Sequence, residues 1–529
     1  MRSYTNTTRP GHSAASSSKL EAKCLADLFL RYVADRADRT ALSIPRKREN
    51  GKWTDDQISF RELNDLVFSY QHALLAQGLK AGDRILVLAP VRAELYALFY
   101  AMCSAGIVPV FIDTNVGARA FLKLVRAADI CAIISTPGFH RLRWLAPTLL
   151  KYKRFTLAES GKGFTNLMDW FPERAGAVAT IACEPNNPVL ITYTTGSSGQ
   201  PKGADRSHSV LYNQYRISRA HWPEELREID MPWFPMVAFQ NLNCGISTVL
   251  PAVNFRRIDE FEPRVIAAQI QAAGVTRMSA PPSVYAKLCR YLIENRVSLP
   301  SVRRLIAGGA PVSQKVAALM RVAFPGAEAH IVYGSTEAEP ISFVSIDEML
   351  KEPADAYLVG KPIPEIQIRI CRLTNDELSR VSSEGVEPFV TSGVGEVLLA
   401  GPHVVKRYFD NEDANRVTKL HDPSGKVWHR TGDLGFFDHL GRLWLAGRLH
   451  DGICYPIEHR AELISGVDRA ALTARALKIR LEPGANWPLV KSRCEKLFEE
   501  LGVEAKPVEA AGELPLDRRH RWKIERNKL

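Results

Sequence analysis

Apolar positions follow two periods along most of the chain. Short, largely apolar runs at 84–89, 108–112, 131–135 and 189–193 predict buried strands. Between them, 60–77, 92–104 and 119–127 repeat their apolar residues at helical spacing. This alternation predicts parallel sheets covered by helices. The pattern resumes with helices at 263–273 and 283–294 and strands at 276–279, 304–307 and 329–332. From 357 to 445 the texture turns β-like and turn-rich, which predicts a small barrel or sheet. The last eighty or so residues are mixed and charged.

The uncharged stretch 95–112 approaches the length of a membrane span. Gly106 and Pro109 interrupt it and Asp113 closes it, so a buried helix running into a buried strand is expected. With 529 residues the chain exceeds one compact core. The polar, Ser/Thr-rich residues 1–19 read as a disordered leader without a secretion signal. Nine scattered cysteines form no C-x-x-C pair and read as reduced thiols, which predicts a cytoplasmic protein. A net charge of +11 fits either a solvated basic surface or attraction to anions. No nucleic-acid-binding signature accompanies it.

Four segments carry candidate chemistry. Residues 191–203 read Ile-Thr-Tyr-Thr-Thr-Gly-Ser-Ser-Gly-Gln-Pro-Lys-Gly. Glycines let a backbone approach a polyanion, Thr194, Thr195, Ser197 and Ser198 add hydroxyls, and Lys202 adds charge. Gln200 and Pro201 separate Gly199 from Lys202, so this is not a Walker A loop. The second segment runs Val332-Tyr-Gly-Ser-Thr-Glu-Ala338: Tyr333 can stack on a purine, Thr336 can donate to a phosphate, and Glu337 is a hard oxygen ligand suited to Mg²⁺. The same letters also suit a turn followed by a helix N-terminus. The third is His429-Arg-Thr-Gly-Asp433 with Gly447-Arg448, where an aspartate can accept ribose hydroxyls and an arginine can pair with phosphate; a β-turn with a surface ion pair is the plainer alternative. The fourth is the basic tail containing Lys523.

In this order and spacing the segments resemble the acyl-adenylating superfamily: acyl-CoA synthetases, luciferases and the adenylation domains of peptide synthetases. The resemblance covers 25–529. It implies an α/β fold: a large N-terminal domain of two helix-covered, mostly parallel sheets plus a small β-barrel, then a small mobile α+β C-terminal domain. Residues 20–448 would form the first and 449–529 the second, with a hinge just after Arg448. The implied reaction joins a carboxylate to ATP, giving an acyl-adenylate and pyrophosphate. By the same resemblance, Thr194, Thr195, Gly196, Ser197, Ser198, Gly199 and Lys202 hold the β- and γ-phosphates. Gly309, Ala310 and Pro311 border adenine and Tyr333 stacks on it, within a nucleotide-binding segment that includes Gly334 and Ser335. Thr336 touches the α-phosphate, Glu337 holds Mg²⁺, Asp433 binds ribose, and Arg448 joins the nucleotide set. Lys523 bridges the attacking carboxylate and the α-phosphate. Gly308 and Phe239 are implied for the acyl pocket.

Within the superfamily, Gly106-Ile-Val-Pro-Val-Phe-Ile-Asp113, Phe234-Pro-Met-Val-Ala-Phe239, Leu305-Ile-Ala-Gly-Gly-Ala-Pro-Val312, Tyr333-Gly-Ser-Thr-Glu-Ala-Glu-Pro340 and Pro515-Leu-Asp-Arg-Arg-His520 are similar to the β-lactone synthetases of bacterial olefin biosynthesis and their fatty-acid-ligase-like relatives. Those enzymes adenylate a 3-hydroxy fatty acid, whose hydroxyl then closes onto the activated carbonyl. Three departures from the wider family stand out. Ala238 and Phe239 allow only an aromatic acyl gate. The loop after Arg448 is short, where CoA ligases carry a Lys/Gly-containing loop for the pantetheine tunnel. Trp522 replaces the glycine usually found before the catalytic lysine. Expected partners are a small carboxylic acid and an acyl acceptor such as a carrier protein, with no nucleic acid and no transmembrane segment. Lactone formation, CoA ligation and a non-catalytic binding role remain the outcomes to separate.

Overall fold

A computed structural model describes residues 24–47, 53–113, 116–141, 147–195, 201–223, 225, 227–371, 393–517 and 521–529. The leader expected at 1–19 lies outside them, as do Gly196, Ser197, Ser198 and Gly199 and the side chains of Thr194 and Thr195.

The early strands build a seven-stranded sheet. Its order is Thr165–Asn166, Lys153–Thr156, Ala132–Ser135, Arg84–Leu88, Val108–Ile112, Pro188–Thr195, Pro201–Ser207. All pairs are parallel except the last, which is a hairpin. A second, larger sheet has a parallel centre of Ile229–Pro232, Arg277–Ala280, Arg304–Gly308 and Glu328–Ser335. Its helices Pro263–Ala273 and Pro282–Glu294 open on prolines, which fit a first helical turn because those N–H groups have no helical partner.

The turn-rich region is antiparallel. Its strands run Tyr357–Pro362, Leu443–Arg448, Val427–Phe437, Gly395–Ala400 and Gln367–Cys371 in spatial order, and Ala338–Ser345 joins them to the parallel centre. One continuous sheet therefore carries the second and third candidate segments toward each other.

The 95–112 stretch is the buried helix Ala93–Ser104 followed by the strand Val108–Ile112, with Gly106 at φ 69° making the corner. Among the described residues no helix is long and apolar enough to cross a membrane. The helix packs in the core against Phe239 from helix Pro235–Asn243. Ring centroids of Phe239 lie 4.3 Å from Phe99 and 4.7 Å from Tyr96. Such aromatic pairs add roughly 0.5–1.5 kcal/mol each beyond their buried area. The Tyr100 hydroxyl, fully buried, donates to Asn243 Oδ1 at 2.9 Å and so keeps its polar atom satisfied.

The smaller C-terminal domain has its own apolar core. Helices Tyr455–Leu463 and Trp487–Leu501 cover a three-stranded sheet of Val467–Leu472, Leu477–Leu481 and Val508–Ala511. Asn486 caps the second helix through Leu489 N, and Gly502 ends it at φ 62°. All nine cysteines are free thiols.

Candidate active site

The phosphate loop is the connection of a hairpin. Thr194 pairs with Lys202 and Tyr193 with Gly203 across it. Gly203 has no room for a side chain, since a Cβ there would sit 2.7 Å from the Tyr193 ring. The segment around Tyr408 lies along the outer strand: Phe409 N donates to Gly203 O at 2.7 Å, and Arg407 pairs with the buried Asp205 at 2.6 Å. Tyr408 thereby reaches over the hairpin, with Lys202 Nζ 5.3 Å from its ring centroid.

Glu337 meets this cluster from the other sheet. Residues Thr336 and Glu337 form the tip between strands Glu328–Ser335 and Ala338–Ser345, so they end a β-hairpin and do not begin a helix. The Tyr408 hydroxyl donates to Glu337 Oε1 at 2.7 Å, and Val405 N donates to Glu337 O at 2.7 Å. Behind Tyr408 lies Lys419, only 4% exposed, whose ammonium contacts Val405 O and His429 Nδ1. Burial pushes Lys419 down to about 7, against the pull of Glu337. Burial likewise pushes His429 down to about 3, so its Nδ1 serves as an acceptor. Burial pushes Glu337 up, but its positive neighbours and the Tyr408 hydrogen bond outweigh this, and the carboxyl titrates below its ordinary value.

The residues present offer a divalent ion one carboxylate, that of Glu337. Among the described residues no group of three or more His, Cys, Asp or Glu side chains is arranged to hold a metal, and Glu337 uses only Oε1 in a hydrogen bond. One carboxylate beside a phosphate-binding loop suits Mg²⁺, which takes one or two carboxylates and shares substrate phosphates. Ser335 Oγ, beside the tip, is buried with no hydrogen-bond partner among the described residues. That orphaned hydroxyl fits a site that a ligand completes.

The same hairpin strand carries the other end of the site. Tyr333, four residues before Glu337, donates its hydroxyl to Asp433 Oδ2 at 2.6 Å. Arg448 Nε holds Asp433 Oδ1 at 3.0 Å, and the two residues are register partners across strands Val427–Phe437 and Leu443–Arg448. The Asp433 side chain is 9% exposed, so this is a buried pair and not a surface one. Arg448 and Asp433 thus hold each other across the two strands. Burial, then Asp433, pushes the Tyr333 phenol well up and keeps it a donor. Gly308 pairs with Val332, and a Cβ on it would meet Val332 O at 2.9 Å; Gly309 follows at φ 79°. The Gly308–Pro311 turn is thereby held beside Tyr333.

The AMP-binding enzyme family model matches residues 29–409, most of the chain. The chain belongs to the AMP-binding enzyme family. It is 28% identical to the olefin beta-lactone synthetase of Stenotrophomonas maltophilia, over 94% of this chain and 95% of that protein. It is equally identical to the olefin beta-lactone synthetase of Xanthomonas campestris, again over 94% and 95%. The fold matches O-succinylbenzoate coenzyme A synthetase of Bacillus subtilis in complex with AMP, with a TM-score of 0.73 at 20% identity, covering 95% of this chain and 97% of that one. This AMP-binding enzyme is an AMP-forming acyl-adenylating ligase or synthetase.

In this AMP-binding enzyme Lys523 arrives from the C-terminal domain. Its N–H and that of Trp522 both donate to Asp517 Oδ1, at 2.7 and 3.0 Å, and Asp517 N donates to Lys523 O. The Trp522 indole N–H donates to Pro311 O at 2.9 Å, which sets Lys523 next to the Gly308–Pro311 turn. After Arg448 the chain turns within three residues: Arg448 pairs with Gly452, and Asp451 N donates to Arg448 O. A Cβ on Gly447 would fall 1.9 Å from Gly452 O, so only glycine permits so tight a return.

Phe239 is placed in the core among Tyr96, Phe99 and Tyr100, 4% exposed. Sequence reasoning misses Tyr408, Lys419 and the contact that His429 makes with Lys419. Lys419 ends the mostly polar run Asn415–Lys419, where nothing distinguishes it from a solvated lysine. A tyrosine at 408, flanked by Arg407 and Phe409, carries no chemical signature of its own.

Proposed function

We propose that this enzyme activates a fatty or 3-hydroxy fatty acid as its adenylate and that a 3-hydroxyl of the acyl chain then displaces AMP to give a β-lactone. The supporting observation is the single hairpin that presents Tyr333 to Asp433 and Glu337 to Tyr408, with Trp522, the neighbour of Lys523, docked at the turn beside it. Such a strand spans a nucleotide from ribose to phosphates.

In the first step a carboxylate oxygen bonds to the α-phosphorus, the α–β phosphoanhydride bond breaks, and pyrophosphate leaves. The loop 194–202 cradles the β- and γ-phosphates, Thr336 donates to the α-phosphate, and Asp433 accepts the ribose hydroxyls. Glu337 would hold Mg²⁺, whose charge offsets the phosphates when bound. Lys523 neutralises charge between carboxylate and α-phosphate; such fixed charges act where negative charge grows. Tyr333, Gly309, Ala310 and Pro311 fix the adenine, which turns an encounter into a positioned attack.

In the second step the 3-hydroxyl oxygen bonds to the acyl carbon, the acyl–phosphate bond breaks, AMP leaves, and the hydroxyl proton passes to solvent. The tight turn 449–451 and the lactone synthetase relatives favour this outcome over a thioester. The turn is also the proposed boundary between residues 20–448 and 449–529. Incorporation of labelled pyrophosphate into ATP by reversal of adenylation, driven by a panel of carboxylic acids without CoA, tests the adenylation step. Exchange with medium- or long-chain acids supports it. No exchange with any acid would leave a nucleotide-binding role instead.

A further inference from the structure

We propose that Trp522 is a positioning residue: it fastens the C-terminal domain to the Gly308–Pro311 turn and so fixes Lys523 at the nucleotide without domain alternation. The inference rests on the adenylating role proposed for Lys523. Three observations carry it.

The first is the contact itself. Trp522 Nε1 donates to Pro311 O at 2.9 Å, and its ring packs against the apolar core of the second sheet. A glycine at this position has neither the donor nor the reach. Pro311 belongs to the turn proposed to border adenine, so the same backbone segment reads the base and receives the domain.

The second is how the indole is held from its own side. The Arg469 guanidinium lies 4.1 Å from the ring centroid, and its Nη2 donates to Trp522 O at 3.1 Å. Glu462 Oε1 in turn binds Arg469 Nε at 2.8 Å, with both side chains under a tenth exposed. The ring is therefore backed by a buried ion pair within the C-terminal domain and cannot swing away cheaply. Asp517, which accepts from both Trp522 and Lys523, transmits that fixed position to the lysine backbone.

The third is the number of independent fastenings around this one. Arg521 pairs with Asp259 at 3.0 Å and Arg290 with Asp468 at 3.1 Å. Gln314 N donates to His459 Nε2 at 3.0 Å, and Lys315 pairs with Glu482. A domain that must rotate for a second substrate is poorly served by such a set. A reaction whose second nucleophile already sits on the acyl chain needs no rotation.

The test uses the full chain and two variants, Trp522→Gly and Trp522→Phe, read by hydrogen–deuterium exchange and by pyrophosphate release. In the native chain without ligand, peptides over 308–313 and 449–453 are expected to be protected. Trp522→Gly should raise their exchange at least tenfold while the 467–481 strands keep theirs, which shows that the domain still folds. It should lower kcat for pyrophosphate release about a hundredfold with KM for ATP changed less than about threefold. Trp522→Phe keeps an aromatic ring but loses the indole N–H and its hydrogen bond, so exchange and kcat should shift about fivefold to tenfold. If Trp522→Gly fails to fold, the Phe variant alone decides. Native-like exchange and kcat in the variants would overturn the proposal. Absence of adenylation in the native chain would remove the role of Lys523, while protection lost on substitution would still establish the fastening.

Discussion

The Tyr408 hydroxyl donates to Glu337 Oε1 at 2.7 Å, joining a residue that covers the phosphate hairpin to the tip of a hairpin in the other sheet. Hydrogen bonds to a charged group are worth about 1.5–3 kcal/mol. Tyr408→Phe leaves the ring over Lys202 and Lys419 but releases the carboxylate. The Mg²⁺ concentration that half-saturates pyrophosphate release is expected to rise about tenfold, a factor corresponding to the low end of that range. A magnesium titration of both proteins checks this.

Asp433 lies between Tyr333 and Arg448, and its removal strands a partly buried guanidinium. Breaking a buried pair by deleting one partner costs about 3–5 kcal/mol. Arg448 is a quarter exposed, so about 2 kcal/mol is expected for Asp433→Ala in urea unfolding. Tyr333→Phe should be milder for the fold, about 1 kcal/mol, and should raise KM for ATP about tenfold.

His459 sits between the domains as a neutral ring: Nε2 accepts from Gln314 N and Nδ1 donates to Ala356 O. Burial holds its imidazole down at about 4 against an ordinary 6.5. Between these values the unfolded chain binds a proton that the native chain does not, so stability rises with pH across that window. Acidification from pH 6.5 to 4 should therefore cost up to about 3 kcal/mol through this residue. His459→Gln can keep both backbone bonds without titrating. Urea midpoints for the two proteins at pH 7 and 4.5 should show a shallower pH slope for the variant.

Lys523→Ala removes the charge proposed to bridge carboxylate and α-phosphate. Loss of one such group typically costs a hundred- to a thousandfold in kcat. ATP binding, measured by calorimetry, is expected to change by less than about threefold, because the phosphate loop and Glu337 remain. Equal adenylation rates in the two proteins would remove the assigned role.

Much of the fold was legible because buried parallel strands and their covering helices carry strong periods. The helix Pro263–Ala273 falls at the predicted bounds, and 95–112 proved to be a helix and a strand for the stated reason, a glycine corner. The Thr336–Glu337 tip was ambiguous because an acidic residue after Gly-Ser-Thr suits both a helix start and a turn. Only the pairing of Ser335 with Ala338 decides it. Lys419 and Tyr408 were illegible because their roles arise from long-range contacts, with Glu337 and Tyr408 lying 71 residues apart. Trp522 was visible as a departure from pattern, but its meaning required the position of Pro311, 211 residues away.

The central claim is that an activated acyl chain closes on its own hydroxyl. The direct measurement is product mass from a 3-hydroxy fatty acid with ATP and Mg²⁺, in the presence and absence of CoA. The account predicts AMP, pyrophosphate and a product lighter than the acid by one water, unchanged by CoA, with no such product from the unsubstituted acid. A CoA-dependent thioester as the main product would contradict it.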